Sequence, residues 1–132
     1  MKSIYIVTIV SVIFLSATSV IGGEPPAFFK NTYPTHALKS ALEARQILNG
    51  NDAQLDAKTR ELISLGVAAQ IPCSYCVYIH TKNAMAAGAS EAEIREAVAA
   101  AAQIRLWSTV INGMGYDFDA FKAEVDKIHG GK

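Results

Sequence analysis

The sequence lacks most features that would announce a nucleic-acid, sheet-forming or lipid-attached protein. Its 12 basic residues balance its 12 acidic ones, and neither sign forms a run. A nucleic-acid surface needs clustered Lys and Arg, so no nucleic-acid partner is expected. No segment sustains the period-two alternation of a half-buried strand, which excludes a sheet. Only two cysteines occur, both within four residues, so a disulfide between them would close a very short loop. No cysteine ends the apolar run near the start of the chain, which argues against lipid attachment there. At 132 residues the chain is too short for more than one ordinary domain.

What is present divides the chain in three. Lys2, an apolar run from Ile4 to Leu15, and small residues leading to Gly22 and Gly23 have the layout of a secretory signal peptide. Residues 1–23 are therefore expected to be a leader, and the protein to be periplasmic or secreted. An uncleaved anchor is the alternative, since the run from Ile4 to Ile21 approaches the roughly 20 apolar residues that span a bilayer. Residues 24–54 should hold an arm and a first helix, and 55–132 the functional core. Three of the four prolines fall between Glu24 and Pro34, which reads as an extended arm.

From there the spacing of apolar residues is helical throughout. Ala37, Leu38, Ala41, Leu42 and Ile47 mark a helix over His36–Leu48, stopped by Asn49-Gly50-Asn51-Asp52. Asp56 can cap a second helix, Ala57 to about Gln70. Pro72 suits the first turn of a third, Cys73 to Ala87, with Gly88 as its stop. Ser90 and Glu93 make a capping-box pattern for a long fourth helix to about Val110. Asp117 opens a last one through Phe118, Phe121, Val125 and Ile128. The fold class is all-α. The many alanines let helices approach closely but bury little area each, at about 25 cal/mol per Å². Burial between subunits would compensate, so a homo-oligomer is expected; good helix propensity is the plainer reason for the same composition.

The chemistry concentrates in Pro72-Cys73-Ser74-Tyr75-Cys76-Val77-Tyr78-Ile79-His80. Cysteines three apart on a helix share a face, and His80, four after Cys76, shares it too. A thiol must become a thiolate to react, and the free N–H groups of a helix start favour that anion at Cys73. His80 can take a proton from Cys76, directly or through water. Glu61, on the preceding helix, can be folded back by the Pro72 turn to orient His80. Haem attachment would need histidine where Val77 stands. A structural zinc site would need a fourth ligand beyond Cys73, Cys76 and His80, with only His36 or His129 to give it. A thioredoxin-like site would need strands. No cofactor and no metal are expected.

The stretch from Leu55 to about Phe121 resembles the carboxymuconolactone decarboxylase superfamily, in particular its alkylhydroperoxidase D-like branch. Glu61, then Cys73-x-x-Cys76, then His80 four later, is similar to that branch's active-site signature. The resemblance implies an all-helical subunit with a helical-hairpin core that assembles into trimers or hexamers. It also implies reduction of hydroperoxides by the cysteine pair, with Cys76 attacking, Cys73 resolving, and Glu61 and His80 relaying the proton. An external thiol of unknown identity would be the reductant. The helix-dipole argument alone favours Cys73 as the more acidic thiol; the His80 spacing and the resemblance favour Cys76. Members of the branch carry a second histidine just before the second cysteine, where this chain has Tyr75. Two other functions fit the residues: a thiol–disulfide oxidoreductase, or a non-catalytic helical oligomer with a structural disulfide. In the latter, Phe28, Phe29, Tyr75, Tyr78 and Trp107 would line a ligand pocket; otherwise they are expected in the core.

Overall fold

In a computed structural model that describes residues 24–130, every regular element is a helix: α1 Ala27–Thr32, α2 Thr35–Asn49, α3 Ala57–Gln70, α4 Ser74–Ala86, α5 Glu91–Gly113 and α6 Phe118–Ile128. The expected leader and its export lie on residues outside this range. Among the described residues no helix is long and apolar enough to cross a membrane. Two units are delimited, one ending at Glu43 and the other beginning at Ala44.

The first unit corrects one expectation. Its proline-rich stretch is not an extended arm, because the prolines flank a helix rather than interrupt it. Pro26 stands at the N-cap of α1, where a missing N–H costs nothing, and its carbonyl accepts from Phe29 N at 3.0 Å. Pro34 lies beyond the end of α1 and offers its own carbonyl to Ala37 N and Leu38 N, both at 3.0 Å, so it opens α2. Glu24 and Lys30 pair at 2.6 Å across the first turn.

In the second unit the helices that pack on one another are α3, α4 and α5. Asp56 caps α3, its side chain accepting from Thr59 N at 3.0 Å. Cys73 takes the N-cap of α4, so the helix starts at Ser74, one residue later than expected, which leaves Pro72 in the preceding turn. At the other end of α4, Ala89 N reaches Ala84 O at 2.9 Å and Gly88 N reaches Met85 O at 3.0 Å. This double closure needs a left-handed residue, and Gly88 supplies it with φ +89°. Among the described residues the buried apolar ones are few and mostly small: Leu65, Ala68, Ala84 and Ala89. Gly66 faces Ala97 and Ala101, and small residues on both sides let α3 and α5 approach.

The start of α5 is fixed twice. Ser90 Oγ accepts from Glu93 N at 3.2 Å, while Glu93 Oε2 accepts from Ser90 N at 2.7 Å, a complete capping box. The other oxygen of Glu93 accepts from Lys58 Nζ at 2.7 Å, tying α5 to α3. Lys58, then the Ser90 N–H and hydroxyl, hold the Glu93 carboxyl down to a pKa of about 2. A lowered carboxylate pKa contributes stability that is complete above the unfolded value, 4.5, and is lost as pH falls through about 2. Glu93→Gln should therefore flatten the melting temperature against pH between those limits relative to wild type. Thermal melts by circular dichroism across that range check this, and high salt should shrink the difference because the pair is partly exposed to solvent. Parallel curves for the two proteins would remove Glu93 from the acid response.

Candidate functional site

The site is assembled by the α3–α4 hairpin. Glu61, Leu65 and Ala68 fall at i, i+4 and i+7 on α3, so the buried pair directs Glu61 toward α4. On α4 the corresponding face carries Cys76, His80 and Asn83, following Cys73 at the cap. The turn between the helices is held by Cys73 N donating to Ala68 O at 3.1 Å, and α4 begins with Val77 N donating to Cys73 O at 2.9 Å. Local sequence thus fixes which four side chains share one face.

Cys73 and Cys76 are joined as a disulfide with their Cα atoms 5.2 Å apart. Both sulfurs lie at the N-terminal end of α4. Cys76 N donates to Cys73 Sγ at 3.2 Å, so Cys73 caps the helix with sulfur as another protein would with a serine oxygen. Both atoms lie at the positive end of the helix dipole, a setting that stabilises a thiolate once the bond is reduced.

One turn further on, His80 Nδ1 lies 2.6 Å from Glu61 Oε2. The histidine side chain is 27% exposed and the glutamate 14%, so water reaches the imidazole more easily than the carboxylate. An ionised carboxylate can only accept, which places the bridging proton on Nδ1; in the neutral ring Nε2 is then the free acceptor. All four expected residues are therefore on the hairpin, in two bonded pairs: Cys73 with Cys76, and Glu61 with His80. A fifth residue was not anticipated. Asn83 Nδ2 donates to the same Oε2 of Glu61 at 3.3 Å. Its position, three after His80, puts it on the same helical face, but its residue type gave no cue to a role there.

The aromatic residues do not behave as core. Tyr75 is 87% exposed, Tyr78 68% and Trp107 56%, and Phe28 packs at a tilt against its neighbour Phe29 with centroids 4.4 Å apart. Apolarity alone suggested burial, but a helical face can be apolar and unpartnered within its own chain. Tyr75, at the position preceding Cys76, points into solvent. His36 and His129 are likewise exposed.

Comparison with known proteins agrees with the hairpin signature. The sequence model of the carboxymuconolactone decarboxylase family matches residues 36–116, more than half of the chain. The match begins within α2, earlier than Leu55. A protein of Paracoccus denitrificans described as "Uncharacterized protein 4 in cox locus" is 39% identical over 54 residues, which is 41% of this chain and 49% of that protein. The chain thus spans about half the length of the curated relative it matches.

Proposed function

This chain belongs to the carboxymuconolactone decarboxylase family, and from that premise we propose that it is a thiol-dependent hydroperoxide reductase of the alkylhydroperoxidase D-like kind. The observation that carries the reading is the pairing of a helix-capping Cys73–Cys76 disulfide with a Glu61–His80 contact one turn away. In the reduced protein the Cys76 thiolate attacks the terminal peroxide oxygen and breaks the O–O bond. The alkoxide leaves with a proton delivered by way of His80, and Cys76 becomes a sulfenic acid. The Cys73 thiolate then displaces hydroxide from that sulfur, forming the disulfide and, with a proton, water. Two electrons and two protons from an external thiol pair restore the dithiol. Glu61 holds the imidazole so that Nε2 faces the chemistry. The reading includes self-association of the chain.

The test is a stopped-flow titration of the reduced protein with hydrogen peroxide and with an organic hydroperoxide, following thiol loss. Oxidation at least ~10²-fold faster than a free thiol, the scale of general acid–base assistance, is expected. Oxidation no faster than a free thiol would sink the proposal. Faster oxidation by reduced-peptide disulfides than by either peroxide would assign the same dithiol to protein thiol–disulfide exchange instead.

A further inference from the structure

Two hydrogen bonds converge on one oxygen at the centre of the hairpin. Glu61 Oε2 accepts from His80 Nδ1 at 2.6 Å and from Asn83 Nδ2 at 3.3 Å. The glutamate side chain is 14% exposed, and its ion-pair partner among the described residues is His80. A glutamate has three rotatable bonds, and here its orientation would otherwise depend on a ring whose own proton is in play. A lysine or arginine could pin the carboxylate more strongly. Its charge would then oppose a second positive charge on the imidazole. A carboxamide holds the oxygen without adding charge, and its donor persists in every protonation state of histidine. Being three residues apart on α4, Asn83 and His80 present their donors to Glu61 as one rigid unit.

From this we infer that Asn83 is a positioning residue: its amide fixes the Glu61 carboxylate, and through it the tautomer of His80. With Oε2 held in place, the neutral imidazole keeps its proton on Nδ1 and its lone pair on Nε2. Without Asn83 the carboxylate can turn toward solvent, and the imidazole distributes its proton over both nitrogens. The kinetic consequence rests on the redox function proposed above; the tautomer consequence does not.

The experiment uses the full oxidised chain with ¹⁵N-labelled histidine, in wild type, Asn83→Leu and Asn83→Ala, with His80→Gln to assign the His80 resonances. At a pH where the ring is neutral, wild type should show a single tautomer protonated on Nδ1. Both Asn83 variants should show the ring nitrogens moving toward the averaged positions of a mixture. In the reduced protein, peroxide turnover by these variants should fall about tenfold in kcat with little change in KM, the scale of one hydrogen bond to a charged group. In a Glu61→Gln background Asn83→Leu should change neither readout further, because Asn83 acts only through that carboxylate. An unchanged tautomer in both Asn83 variants overturns the inference, as does an equal loss in the Glu61→Gln background. Wild type protonated on Nε2 overturns it at its base. If wild type reduces no peroxide, the redox reading fails while the tautomer measurements still decide the role of Asn83.

Discussion

Replacing Cys76 by serine should abolish peroxide-dependent thiol oxidation, whereas Cys73→Ser should retain one fast turnover and lose every later one. The asymmetry follows from where the sulfurs sit. Cys73 is the N-cap of α4, and its Sγ already accepts the Cys76 N–H at 3.2 Å. That bond favours Cys73 as a resting anion and therefore as the better leaving group when the disulfide is reduced. Cys76 is one turn before His80, whose Nδ1 is occupied by Glu61 and whose Nε2 is left to exchange a proton with peroxide or thiol. The attacking role needs a proton donor for the departing alkoxide, and the resolving role needs a ready thiolate three residues away. Serine at 76 removes the nucleophile of a group that works as a unit, so the loss should be at least ~10³-fold. Serine at 73 leaves the attack intact but strands the sulfenic acid, which dimedone would trap and mass spectrometry would locate at Cys76. Rapid oxidation surviving in Cys76→Ser and lost in Cys73→Ser would reverse the assignment. Survival in both would take the reaction away from this pair.

Much of this was legible because the decisive relations are local. A cysteine pair at i, i+3 with histidine four later shares a helical face wherever the helix forms, and Asp56, Ser90 and Asp117 cap their helices as their side chains dictate. The Glu61–His80 contact spans 19 residues, yet a helix–turn–helix leaves few other registers for it. Three features were not legible, each for a physical reason. Prolines in a short window indicate where the chain cannot be helical, and say nothing about the six residues between them that became α1. Asn83 carries no titratable group, so residue type gave no cue and only its contact with Glu61 reveals it. Trp107, Tyr75 and Tyr78 are apolar enough for a core but stand exposed, because hydrophobicity does not distinguish burial inside a chain from burial between chains.

That last point leads to a result with a large expected effect: the protein should self-associate, and Trp107→Glu should make it monomeric at micromolar concentration. At 23 residues against 14, α5 outruns α3, about 34 Å against about 21 Å at 1.5 Å per residue. Its second half carries Ile104, Leu106, Trp107 and Val110, and after a glycine turn α6 adds Phe118 and Ile128. These six side chains are 48 to 77% exposed. On α5, Leu106, Trp107 and Val110 fall within about 100° of one another, so they share one apolar face. A second copy presenting the same residues would cover this face with side chains of matching chemistry. The fully buried core within the chain, with Leu65 as its one large side chain among the described residues, leaves correspondingly more of the burial to be made between copies. A buried tryptophan at such a patch is a hot spot, and a carboxylate in its place should weaken assembly by at least ~30-fold. Sedimentation velocity reads the mass directly. Trp107 is the single tryptophan of the chain, so its emission should be blue-shifted in the assembled wild type and shift to the red on dilution. A wild type that sediments as a monomer at high micromolar concentration, with the emission of a solvated indole, would show that this face has no second copy to cover it.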